Sequence, residues 1–98
     1  MTMANQRPPA RSTRIEETDK VIITEWRFVP GAETGWHRHE HDYVIVCLTA
    51  GKLLAETKEG DVETELRAGQ VYTRQVGVEH NIVNSNAHEF AFIEIELK

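Results

Sequence analysis

Residues 31–43 read GAETGWHRHEHDY, and residues 69–84 read GQVYTRQVGVEHNIVN. The first stretch carries histidines at alternate positions, beginning with His37 and His39, and the second carries a single histidine, His80. Alternate residues of an extended strand point to the same face, so His37 and His39 are predicted to project together. Imidazole nitrogens suit zinc, copper, iron and nickel, and a site needs several of them to converge. The spacing therefore indicates a metal site completed by His80, and a solvent-exposed polar strand is the alternative.

Glycines divide the remainder of the chain at short intervals, and helical periodicity is absent beyond the first residues. The segments between the glycines are short and rich in β-branched and aromatic residues, as is typical of strands. The predicted strands include residues 21–29, 43–49, 52–57, 62–67, 71–74, 80–83 and 89–97. Eight or nine short strands at even spacing predict an all-β sandwich or barrel.

The last predicted strand, residues 89–97, is apolar on both faces. Alternation places Ile93 and Ile95 on one face and Phe90 and Phe92 on the other. A strand with two apolar faces is buried on both sides. We therefore expect a second subunit to cover part of the outer surface, which predicts a homodimer.

The length of 98 residues predicts one small domain. Residues 1–14 contain three arginines and Pro8-Pro9 but no apolar segment of the kind found in a signal peptide. We interpret them as an N-terminal arm, either flexible or exchanged with a partner subunit as an edge strand. Residues 15–98 are predicted to form the barrel domain.

Composition bounds the location and the partners of the chain. The net charge is −5, and no basic patch accompanies aromatic residues, which argues against nucleic-acid binding. No apolar run is long enough to span a membrane. The single cysteine, Cys47, lies in an apolar run and excludes an internal disulfide framework. We expect a cytoplasmic protein whose partner is a small-molecule ligand or substrate.

The first stretch resembles the first motif of the cupin family. That motif consists of glycine, five residues, His-x-His, three or four residues, a glutamate and a later glycine. The chain matches it with Gly31, His37 and His39, but Tyr43 stands at the position of the glutamate.

The second stretch resembles the second cupin motif, which is glycine, five residues, Pro-x-Gly, two residues, histidine, three residues and asparagine. Gly69, Gly77, His80 and Asn84 all stand at these offsets, whereas Gln75 replaces the proline. The resemblance implies the double-stranded β-helix, or jelly-roll barrel, of the cupins. Apart from the resemblance, Gly77 is expected to form a tight turn with positive φ, and Asn84 to hold a hairpin through backbone hydrogen bonds.

The resemblance also implies a divalent transition metal (iron, nickel, manganese, zinc or copper) held by His37, His39 and His80. The glutamate that usually ligates the metal is missing, and a protonated tyrosine is a poor replacement because its ordinary pKa is about 10. For the fourth ligand we consider water first, His41 second and Tyr43 third. Tyr43 has two interpretations: a catalytic hydroxyl that hydrogen-bonds a metal-bound water or substrate, or a core side chain that only fills space.

Two functions are consistent with such a site. The first is a metal-dependent enzyme, either of dioxygenase type or an isomerase or lyase that polarises a carbonyl group. The second is a non-catalytic module that binds or senses a small ligand. No aspartate or glutamate is predicted to face the interior as a general base, which counts against proton-transfer mechanisms.

Overall fold

The computed structural model describes residues 6–98, so the first five residues of the predicted arm lie outside the described residues. The described part of the chain forms nine strands and no helix, and therefore no helix that could cross a membrane. The all-β class is confirmed. The strands are β1 (Arg11–Glu17), β2 (Val21–Phe28), β3 (His37–Arg38), β4 (Asp42–Cys47), β5 (Gly51–Thr57), β6 (Gly60–Leu66), β7 (Val71–Arg74), β8 (Glu79–Asn84) and β9 (Phe90–Leu97).

The strands form two sheets in which every paired strand is antiparallel. The five-stranded sheet has the order β1-β2-β9-β4-β7, and the four-stranded sheet has the order β3-β8-β5-β6. Strands that are neighbours in space are therefore often distant in sequence, as in a jelly roll.

The core lies between the two sheets. Alternation along β2 buries Thr24 and Phe28, whereas Arg27 is exposed. Phe28 and Phe90 are completely buried, and the ring of Phe28 lies 5.5 Å from that of Phe92. Burying such aromatic side chains contributes roughly 1.5–3 kcal/mol each, so this cluster fixes how the two sheets face each other.

The N-terminal part of the described chain is an edge strand. β1 pairs with β2 from Arg11 opposite Arg27 to Glu17 opposite Ile22, and every β1 side chain is exposed. Just before it, the amide of Glu33 donates to the carbonyl of Pro8, which holds residues 8–10 against the body of the domain. The sequence-based boundary after residue 14 thus falls inside β1.

A turn at Gly77 brings the two motifs together. Gly77 has a φ of +98°, a conformation that is readily available only to glycine, as the sequence predicted. Its amide donates to the carbonyl of His39 at 2.9 Å, and the amide of His39 donates to the carbonyl of Val78 at 2.9 Å. The adjoining β3–β8 pairing sets His37 directly opposite His80. The backbone alone therefore places three histidines at one end of the barrel.

Candidate metal centre

Three imidazole rings meet at this end of the barrel. Nε2 of His39 lies 2.9 Å from Nε2 of His37 and 3.1 Å from Nε2 of His80. His39 and His80 are buried and His37 is half-buried. One nitrogen from each ring falls within 4.8 Å of the others, so the group could hold a metal ion.

The spacing of the three nitrogens fits a metal that they share. A metal–nitrogen bond of about 2.1 Å puts two nitrogens roughly 3.0 Å apart at a right angle and roughly 3.4 Å apart at a tetrahedral angle. The distances of 2.9 and 3.1 Å match the right-angled arrangement. His39 can therefore share a metal ion with each of the other two rings through neighbouring coordination positions.

The hydrogen bonds of His37 fix which nitrogen is free to bind. Its Nδ1 lies 2.8 Å from the carbonyl oxygen of Gly35 and 3.3 Å from Oγ1 of Thr34. A carbonyl oxygen only accepts hydrogen bonds, so Nδ1 carries a proton, and Nε2 is the nitrogen that faces the other two rings. Backbone partners of this kind orient metal-binding histidines.

The two buried histidines are neutral near pH 7. Burial, together with the neighbouring His37 and His80, lowers the pKa of His39 to about 3. Burial, followed by the effect of His37, lowers the pKa of His80 to about 4. Both side chains therefore present an unprotonated nitrogen at neutral pH, as metal binding requires.

Tyr43 supports one of the rings. Its side chain is 3% exposed and stacks on His39, with ring centres 3.9 Å apart and planes at 19°. Burial raises the pKa of Tyr43 well above its ordinary value, so the hydroxyl keeps its proton at neutral pH. Tyr43 thus packs on the ring of His39 and lines the cavity.

Glu94 is an acidic residue that the sequence analysis missed. It is 9% exposed, Oε2 lies 3.9 Å from Nδ1 of His39, and Oε1 accepts a hydrogen bond of 3.4 Å from Nε1 of Trp26. Burial, with the charge of Glu96 adding to it, raises the pKa of Glu94 to about 7. The sequence predicted no aspartate or glutamate facing the interior as a general base, whereas Glu94 is buried and lines the cavity. Glu94 and Phe92 are alternate residues of β9 and therefore share a face, which was the signal in the sequence that could have revealed it.

His41 is not brought together with the other three histidines. It lies in the bend just before β4, is half-buried and does not line the cavity beside the cluster. The alternation that joins His37 and His39 ends at this bend, so the next alternate residue takes another direction.

The three histidines open into a cavity of about 170 Å³ between the two sheets. Most of its walls are apolar or aromatic, and its charged groups outside the histidine cluster are Glu94 and Arg74. Arg74 is exposed and its guanidinium lies over the ring of Tyr72, 4.5 Å from the ring centre. The lining residues are Trp26, Thr34, His37, His39, Tyr43, Ile45, Leu53, Ala55, Thr64, Leu66, Gln70, Tyr72, Arg74, His80, Ile82, Phe92 and Glu94.

A hydrogen-bond network links the N-terminal segment to the histidine cluster. Arg7 donates to Glu33 at 3.0 Å and to both carboxylate oxygens of Glu56, at 3.2 and 2.9 Å. Nδ2 of Asn81 donates to the same two glutamates, at 2.8 and 2.9 Å. Oδ1 of Asn81 accepts from the amide of Gly35 at 2.9 Å. Since the carbonyl of Gly35 accepts from His37, this network holds the loop that orients that ring.

Comparison with known proteins agrees with this architecture. Residues 24–96 match the Cupin_2 family, described as the cupin domain. The chain is 59% identical over 92 residues to the β-alanine degradation protein BauB of Pseudomonas aeruginosa, a match that covers 94% of this chain and 97% of that one.

Solved structures show the same fold. A cupin domain from Bordetella pertussis Tohama I is 54% identical, has a TM-score of 0.93 and is matched over 95% of this chain and 97% of its own. A double-stranded β-helix protein from Klebsiella pneumoniae is 23% identical, with a TM-score of 0.76 and coverage of 91% and 76%. The predicted jelly-roll barrel is confirmed, and the chain belongs to the cupin family.

Proposed function

We propose that this protein is a metal-dependent cupin enzyme that acts on a small acid in the breakdown of β-alanine or a close relative of it. The observation that carries the proposal is the convergence of Nε2 atoms from His37, His39 and His80 at 2.9 and 3.1 Å, beside a cavity. Three imidazole nitrogens beside an open cavity are a ligand set for a divalent transition metal: iron, nickel, manganese, zinc or copper.

The relative from Pseudomonas aeruginosa supports the substrate class. Its name assigns it to β-alanine degradation, and 59% identity across nearly the whole of both chains makes a shared step the simplest inference. Removing nitrogen from β-alanine leaves three-carbon acids with an aldehyde or hydroxyl group at the third carbon. Such molecules suit the small cavity.

The chemistry that a bound divalent ion supplies is polarisation of a carbonyl oxygen and, for a redox-active metal, oxygen chemistry of dioxygenase type. The protein contributes neutral ligands, which leave the full positive charge on the site. Isomerase or lyase chemistry is the corresponding choice for a redox-inert ion.

Two further side chains have roles in this proposal. Tyr43 holds the plane of His39 and offers a protonated hydroxyl to a substrate oxygen, while water or substrate takes the open coordination positions. Glu94 faces the Nδ1 edge of His39 and is the carboxyl group within the cavity that can receive a proton.

The outer face of the five-stranded sheet supports a homodimer. Across adjacent strands, Ile23 pairs with Ile95, Ile95 with Val44, and Val46 with both Ile93 and Val71. These apolar side chains remain partly or largely exposed. We place the partner subunit on this face, with the fully exposed edge strand β1 at its border and residues 15–98 as the barrel domain. A cytoplasmic location is part of the same proposal, since Cys47 is buried as a free thiol.

Turnover of three-carbon acids tests the enzymatic proposal. Protein loaded with each candidate metal is incubated with β-alanine, 3-oxopropanoate or 3-hydroxypropanoate, and products are followed by NMR alongside oxygen uptake. Conversion that disappears in His37→Ala supports an enzyme. Retention of an acid without conversion by any metal form contradicts the enzymatic part and favours a binding or sensing module.

A further inference from the structure

We infer that the cavity binds a short monocarboxylate with a second, uncharged oxygen donor, and that Arg74 pairs with the carboxylate. The metal end of this inference rests on the proposed function. The Arg74 end rests on the cavity itself.

Arg74 is the one lysine or arginine among the residues that line this cavity. The β4–β7 pairing sets Arg74 directly opposite Tyr43, which places the two side chains on the same face of the sheet. Tyr43 also stacks on His39, so this residue of β4 lies between Arg74 and the histidine cluster.

The guanidinium is held but not neutralised. Its Cζ lies 4.5 Å above the Tyr72 ring, and Nη1 donates to the carbonyl of Thr73 at 2.8 Å. Within residues 6–98, no carboxylate lies within 4.0 Å of it, whereas Arg7 and Arg27 each pair with two glutamates. A guanidinium has five N–H donors, so a planar pair of donors remains for a carboxylate.

The part of the cavity around Glu94 selects the other end of the ligand. Glu94 lies across β4 from Arg74, because Ile45 pairs with Glu94 and Tyr43 with Arg74. Two strand spacings and two residues along the strand separate their Cα atoms by roughly 12 Å. A carboxyl side chain on that wall disfavours a second carboxylate, and the histidine cluster beside it suits a keto, aldehyde or hydroxyl oxygen.

The cavity volume limits the length of the ligand. About 170 Å³ is well below the roughly 300–1,000 Å³ of pockets for drug-sized molecules. Apolar side chains between the two polar ends, among them Ile45, Ile82 and Phe92, suit a short carbon chain. Three to five carbons are therefore the expected size.

Acetoacetate is the probe that tests this inference, and methyl acetoacetate is its uncharged counterpart. Isothermal titration calorimetry on wild-type protein should show that acetoacetate binds more tightly than the ester. In Arg74→Gln, we expect acetoacetate affinity to fall at least tenfold and the affinity for the ester to stay within twofold, because only the charged hydrogen bonds are lost. Arg74→Lys should restore part of the affinity.

Arg67→Gln is the matched control, because Arg67 is also exposed but does not line the cavity. It should leave acetoacetate affinity unchanged, and thermal melts of all variants check that they fold. Equal acetoacetate affinity in wild type and Arg74→Gln overturns the inference, as does wild-type protein that binds no acetoacetate.

The same titrations are run on metal-loaded and chelator-treated protein, with metal content measured separately. If acetoacetate affinity depends on Arg74 in both states, the result supports Arg74 as the carboxylate partner even if the protein binds no metal. A protein that binds metal but shows no dependence on Arg74 leaves the proposed metal site standing and overturns only the carboxylate subsite.

Discussion

Nε2 of His39 lies 3.1 Å from Nε2 of His80, although 41 positions separate the two residues in the chain. Backbone hydrogen bonds between His39 and the turn at residues 77–78, rather than side-chain contacts, bring the two rings together. The site therefore exists only in the folded barrel, and a metal that binds there stabilises the fold.

The first prediction concerns that coupling. Zinc or nickel added to metal-free protein should raise the melting temperature by several degrees, and His80→Asn should abolish the rise because it removes one of three ligands. The measurement is differential scanning fluorimetry with and without metal.

His41→Asn is the control for this experiment. His41 lies outside the cluster of three histidines, so the variant should keep the full metal-induced shift. Loss of the shift in His41→Asn, or its persistence in His80→Asn, would contradict the assignment of the three ligands.

The second prediction concerns pH and the metal-free protein. The pKa of His80 falls from an ordinary 6.5 in the unfolded chain to about 4 in the folded protein. Below pH 6.5 the unfolded chain takes up a proton on His80 that the folded protein does not. The free energy of unfolding therefore decreases as the pH falls from 6.5 towards 4. The loss is at most about 3 kcal/mol, at 1.36 kcal/mol for each pKa unit.

Glu94 acts in the opposite direction, because its raised pKa of about 7 means that stability grows as the pH falls from 7 to 4.5. The comparison of wild type with His80→Gln separates the two effects. Urea denaturation between pH 4.5 and 7.5 should show that wild type loses more stability towards acid than His80→Gln does. Parallel pH profiles would be inconsistent with a neutral, buried His80.

The third prediction concerns the network between Arg7 and His37. Asn81→Ala leaves the amide of Gly35 without its side-chain acceptor and frees the loop whose carbonyl orients His37. Supporting residues of this kind typically change metal affinity 10–100-fold. We therefore expect at least a tenfold loss, measured by competition with a chromophoric chelator.

Asn86→Ala is the matched control for that loss. Asn86 also holds backbone through its side chain, accepting from Lys52 N at 2.8 Å and donating to Lys52 O at 2.7 Å, but it does not contact the cluster. It should lower stability without changing the metal affinity of the folded protein. Equal affinity in the two variants would mean that Asn81 is only structural.

The fourth prediction separates the ring of Tyr43 from its hydroxyl. Tyr43→Phe keeps the stacking on His39 and should bind metal as wild type does, whereas any turnover should fall if the hydroxyl contacts substrate. Tyr43→Ala opens a cavity in the core and should cost about 3–5 kcal/mol of stability. Unfolding curves, metal titrations and product formation measure the three effects, and loss of metal in Tyr43→Phe would instead indicate a ligand.

Local sequence patterns predicted much of this fold. Gly77 adopts the expected positive φ. Asn84 is 1% exposed and donates to the carbonyls of Phe28, Val29 and His88, so it holds backbone through hydrogen bonds as predicted. Such features depend on a few neighbouring residues, and these are visible in a sequence.

The features that could not be predicted depend on contacts between distant segments. β1 has no alternation of apolar and polar residues, because it is exposed on both faces and pairs through its backbone. The shared face of Glu94 and Phe92 is visible in the sequence, but the place of that face beside the histidine cluster depends on the position of β9 between β2 and β4. The contacts of Arg7 span 26 and 49 positions, which no local pattern reveals.

The central claim is that His37, His39 and His80 hold a divalent metal, and the most direct test is the metal content of protein purified without a histidine tag. Inductively coupled plasma mass spectrometry should find close to one equivalent of iron, nickel, manganese, zinc or copper in wild type. The His37→Ala, His80→Ala double variant should contain almost none while remaining folded. A wild-type protein that carries no metal and takes up none of these ions when they are added would contradict the account.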